Sequence, residues 1–109
     1  MDDRTLLELA AKAVGMPSLH DANGIYGAWV GDSENGHWWN PLEDDGDALR
    51  LAVNLAIEIS PCPATDSVMC EPKSNPDSII TVEALDDYGT RRAIVRAAAE
   101  IGKAMQEKY

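Results

Sequence analysis

The sequence predicts one α+β domain with its elements in the order α-β-β-α-β-β-α and a small antiparallel sheet. Three observations carry this. Apolar residues recur at helical spacing over 3–14, 45–59 and 90–107. Short runs rich in aromatic and branched residues lie between Asn-Gly, Pro and Asp turn signals, as strands do. The run 45–59 is apolar over most of its circumference, which requires layers on more than one side of it.

In the first helix, Leu6, Leu7, Ala10, Ala13 and Val14 form the apolar stripe. Asp2 or Asp3 can cap its start, and Gly15 with Pro17 stops it. Residues 17–24 read as a polar loop. Ile25–Gly31 and His37–Asn40 are the arms of a hairpin turned at Asn35-Gly36. Neighbouring side chains on a strand face opposite ways, so Trp38 and Trp39 cannot enter the same layer. Either helices cover both faces, or one tryptophan is offered to solvent or a partner; Trp29 and one of the pair are expected to be buried.

Asp44, Asp45 and Asp47 open the second helix, where carboxylates suit its positive end. Asp47, Arg50, Asn54 and Glu58 form one narrow polar stripe along it. The prolines of Ser60–Pro63 exclude a central strand. Asp66–Glu71 and Ser78–Ala84 read as strands. Thr90 is the expected cap of the last helix, whose stripe is Ile94, Ala98, Ile101 and Met105.

With 109 residues the chain can bury roughly 65% of its unfolded surface, enough for one core. No apolar run approaches the ~20 residues of a membrane span. The N-terminal segment lacks the pattern of a secretory signal, so a cytoplasmic setting is expected. Net charge is −10, unevenly placed. Residues 1–90 carry seventeen acids against four bases, and residues 91–109 carry two acids against five bases. Direct binding to a nucleic acid is disfavoured by such a field, and no membrane contact is expected. Arg91, Arg92 and Arg96 are read as neutralising acids of the same fold.

Cys62 and Cys70 read as reduced thiols. Together with His20 and His37 they supply four potential zinc ligands, but at spacings that match no paired motif, so no metal or cofactor is expected. The Asp44–Asp47 cluster lacks the twelve-residue spread of a calcium loop and reads as helix capping. No serine sits in a nucleophile elbow and no glycine loop cradles phosphate, so no enzyme is expected.

Three blocks, TLLELAAKAVG (5–15), WNPLEDDGDALRLAV (39–53) and TRRAIVRAAAEIGKAM (90–105), resemble the phage ABA-sandwich domain of small bacteriophage and prophage proteins. The resemblance implies a sheet with helices on both faces, an α/β/α sandwich, and a phage origin; Ser60–Asn75 departs most from the pattern. It implies no reaction. The expected function is a non-enzymatic protein that binds a host or phage protein, as an inhibitor of a host defence such as CRISPR, by presenting an acidic face in place of nucleic acid. The expected contact residues are Trp38, Trp39, Asp32, Glu34, Glu43, Asp44 and Asp45, with Arg92 on the last helix as the competing surface. A structural component that forms homo-oligomers, or a small metal protein using His37, Cys62 and Cys70, are the alternatives.

Overall fold

The structure is a computed structural model that describes residues 2–16, 20–22, 25–30, 34, 36–73 and 79–107, with backbone alone at 20–22, 25–30 and 107. Its elements are α1 (Asp3–Ala13), β1 (His20–Ala22), β2 (Ile25–Val30), β3 (His37–Trp39), α2 (Asp45–Asn54), β4 (Ile57–Cys62), β5 (Ser67–Pro72), β6 (Thr81–Ala84) and α3 (Asp87–Glu107). The α+β class stands, with two more strands than the sequence predicts. They form two antiparallel sheets, β1-β2-β3 and β4-β5-β6.

Helix α1 begins at Asp2, whose carboxylate accepts the Thr5 N–H at 2.8 Å. It ends where Gly15 takes φ +74°. The Gly15 N–H reaches the Lys12 carbonyl and the Met16 N–H reaches that of Ala11, the pairing that satisfies a helix's last carbonyls. Met16 then packs back onto the core.

The hairpin arms are β2 and β3, in register Ala28 with Trp39, Trp29 with Trp38 and Val30 with His37. The segment expected as a polar loop contains β1, paired to β2. Trp39 is buried and Trp38 half-buried. The expected burial of Trp29 concerns a side chain outside the described residues.

The second helix is shorter than predicted. It stops at Asn54, and Ala56 adopts φ +52°, the left-handed conformation that glycine takes far more cheaply. Ile57-Glu58-Ile59 leaves the helix to become β4, paired along its length with β5. Pro61 fits there because β4 is an edge strand.

The role of sandwiched helix, predicted for α2, belongs to α3. Leu49 and Val53 on α2 are 58% and 71% exposed, whereas Ala93, Ile94, Val95, Ala97, Ala98 and Ala99 of α3 are buried on several sides. Helix α3 packs against α1 and α2 and against β5 and β6. A Cβ on Gly102 would overlap the Leu9 carbonyl, so α1 and α3 meet backbone to backbone there. The Thr81 hydroxyl donates to the Ala93 carbonyl at 2.7 Å, tying β6 to the same helix. The start of α3 is set by Asp86 rather than Thr90: its carboxylate accepts the Gly89 N–H at 2.6 Å.

Register divides the β4-β5-β6 sheet into two faces. Ile57, Ile59, Val68, Cys70 and Thr81 look toward α3, while Glu58, Ser60, Met69, Val82 and Ala84 look away from it. Val82 is 49% exposed. Among the described residues, helices therefore lie on one face of this sheet, and the two-sided sandwich is not seen in it. Cys62 and Cys70 lie on opposite faces, both free, and no single ion can take both thiols. Burial pushes the Cys70 thiol up to about 11. Among the described residues, no helix is long and apolar enough to cross a membrane.

Candidate functional site

The turn between β3 and α2 is organised by Asp47. Its side chain is wholly buried, yet three donors reach it. His37 Nε2 and an Arg50 guanidinium nitrogen each lie 2.8 Å from Oδ1, and the Asn40 N–H lies 2.9 Å from Oδ2. The Asp47 N–H donates in turn to the Asp44 carboxylate at 2.8 Å, which caps α2. Burial pushes the Asp47 carboxyl up, but the hydrogen bonds from His37, Asn40 and Arg50 outweigh it and leave the group below its ordinary range. One carboxylate thus joins strand, turn and helix. It was expected on the polar stripe of α2, exposed to water. The Asp-x-x-Asp spacing of Asp44 and Asp47 marks a helix start, but nothing in it reveals the tie to His37.

That tie fixes the acids beside it. Glu43, Asp44 and Asp45 are exposed on the outer surface of the turn. Asp45 pairs with Arg91 at 2.6 Å, and Arg91 Nε also donates to the Leu42 carbonyl at 3.0 Å. The first turn of α2 is thereby pinned to the first turns of α3, where Asp86 and Asp87 are also exposed. Asp45 and Asp87, some forty residues apart in sequence, thus line one cavity together with Arg91.

Between them runs a groove with a cavity of about 250 Å³. Ala48 and Leu49 of α2, Ile59 of β4 and Ile94 of α3 supply its apolar lining; Asp45, Asp87, Thr90 and Arg91 supply its polar lining. Leu49 and Asp87 did not figure among the sequence candidates. An apolar run on a helix reads as core, but α2 buries only the side bearing Asp47, Ala48, Leu51 and Ala52 and turns Leu49 and Val53 outward.

The remaining candidates do not converge on this place. Trp39 belongs to the buried core and offers a partner almost no surface. Trp38 is half-buried and Glu34 exposed, and Asp32 lies outside the described residues. Arg92 donates to Asp3 at 2.9 Å and lies 3.7 Å from Glu83, while Arg96 pairs with Glu83 at 2.5 Å. The hydrogen bond to Asp3 is the main cause holding Arg92 above its ordinary value. These arginines clasp α1, β6 and α3 around a second cavity of about 330 Å³, lined by Leu6, Glu83, Arg92, Arg96 and Glu100. Its guanidinium groups are engaged by carboxylates of the same fold, as the charge distribution led one to expect.

No family model matches the chain, and no curated protein or solved structure matches it.

Proposed function

We propose that this chain is a non-enzymatic interaction protein that binds a basic surface of a host or phage protein through the acidic face at the α2–α3 junction. The observation that carries the reading is that Asp45, paired with Arg91, and Asp87 line one cavity, with Glu43, Asp44 and Asp86 exposed next to them in the chain. A net charge of −10 adds a long-range field of the same sign, which steers cationic partners and repels nucleic acid itself. The resemblance to the phage ABA-sandwich domain supports a phage origin and action inside the host cell. The target is then a nucleic-acid-handling protein of host defence, whose phosphate-binding groups meet carboxylates instead.

The test is affinity capture from a bacterial host lysate with the tagged protein and its Asp45→Asn/Asp87→Asn variant, at low and at high salt. The reading expects a partner with a basic surface, retained at low salt, released at high salt, and lost or weakened with the variant. Equal recovery by both proteins at every salt concentration refutes it.

A further inference from the structure

We propose that the groove between α2 and α3 docks a cationic amphipathic helix of the partner. This rests on the acidic-face reading and specifies what that face holds.

The groove joins two kinds of surface. Its floor is Ala48, Leu49, Ile59 and Ile94, and its rims carry Asp45 and Asp87. Arg91, the one cation in its lining, is committed to Asp45 and to the Leu42 carbonyl. The groove therefore stays negative at its edges, where Asp45 and Asp87 stand against the single arginine. Val53, one turn along from Leu49 on the same face of α2, is 71% exposed. Leu49 and Val53 make an apolar ridge at i, i+4 spacing. A helix laid in a groove reads such a ridge with anchors of its own at i, i+4 and i+7. Its flanking lysines or arginines would meet Asp45 and Asp87.

An extended segment would need an open sheet edge beside the groove. The β4 edge adjoining it contains Pro61, which offers no N–H, and the charged Glu58. At the far edge, Arg96 donates to the Val82 carbonyl at 3.2 Å and holds Glu83. Both edges of this sheet are thus guarded against strand addition. The occupant must be recognised by side chains, which a helix presents.

The test uses fluorescence anisotropy with two labelled lysine–leucine peptides at low salt. One has its leucines on a single helical face; the other has the same composition scrambled so that no face forms. The wild-type protein is expected to bind the amphipathic peptide about tenfold or more tightly than the scrambled one. Leu49→Asp/Val53→Asp should abolish that preference while circular dichroism shows an unchanged fold, because both side chains are exposed. The added carboxylates would strengthen plain charge attraction, so groove docking and charge attraction predict opposite signs for the amphipathic peptide. Undiminished binding of that peptide by this variant, or no preference in the wild type, overturns the proposal. The parent reading fails separately, if Asp45→Asn/Asp87→Asn leaves binding of both peptides unchanged.

Discussion

Replacing Asp47 by Asn keeps the shape of a side chain that no solvent reaches and removes its charge. Three donors converge on the carboxylate, from His37, Arg50 and the Asn40 backbone. A hydrogen bond to a charged group contributes about 1.5–3 kcal/mol. His37 and Arg50 are 47% and 62% exposed, so both recover water when released, and their shares fall at or below the low end. The amide has one acceptor oxygen and turns an NH₂ toward at least one remaining donor. The net cost is about 2–4 kcal/mol, a large part of the ~5–15 kcal/mol that holds a domain of this size. Urea unfolding followed by circular dichroism should show the midpoint falling by about 1–2 M at an m-value of about 2 kcal/mol/M. Acid titration adds a second arm. The folded-state carboxyl lies below its ordinary range, so its contribution is present above about pH 4 and is lost as pH falls through the folded value. The wild-type and variant stabilities should therefore converge on acidification. A loss below about 0.5 kcal/mol at pH 7, or stability curves that stay parallel below pH 4, would refute the role of Asp47 as a cross-link.

Gly102→Ala should destabilise the protein by about 1–3 kcal/mol in the same urea assay, because the new methyl meets the Leu9 carbonyl and must push α1 from α3. Ala56→Gly should stabilise it by about 0.5–1 kcal/mol, since relief of the positive φ exceeds the added freedom of the unfolded chain; a lower melting temperature would contradict the helix end described above. At pH 8 a thiol reagent should modify Cys62 first. Cys70, buried and raised to about 11, should react only as the chain unfolds, so two equally fast thiols would contradict its place under α3.

Where local chemistry carries the structure, the sequence is a good guide. Asp2 by its carboxylate and Gly15 by its backbone freedom bound α1 as expected, and β2 and β3 pair close to the hairpin arms expected. The errors share one cause: they fall where tertiary context overrides local preference. No glycine marks the end of α2, because an alanine takes the left-handed position, so the helical pattern seemed to run on to Ile59. That one misplacement hid β4 and exchanged the roles of α2 and α3. Helix α3 shows only one apolar stripe in the sequence because many of its buried positions are alanines, a weak apolar signal. Small residues are what a helix needs when neighbours crowd it from several sides, as Gly102 shows where α1 approaches most closely.

The same early stop bears on the site. If α2 ran to Ile59 inside the core, Leu49 and Val53 would need no account beyond packing. Ending at Asn54 and packed on one side only, the helix has these two side chains at 58% and 71% exposure, one turn apart, beside a groove rimmed by Asp45 and Asp87. Single exposed apolar residues are common on protein surfaces, but a ridge of them bordering a concave apolar floor is a place where water is readily displaced. The carboxylates around it are individually legible as helix caps. Their convergence depends on Arg91 reaching from α3 to Asp45, a contact across 46 residues that no local pattern encodes. Capping explains why an acid stands at Asp44, whose side chain accepts the Asp47 N–H. It does not explain why the exposed acids of two helix starts flank the same apolar floor, and that arrangement is what a cationic amphipathic helix would recognise.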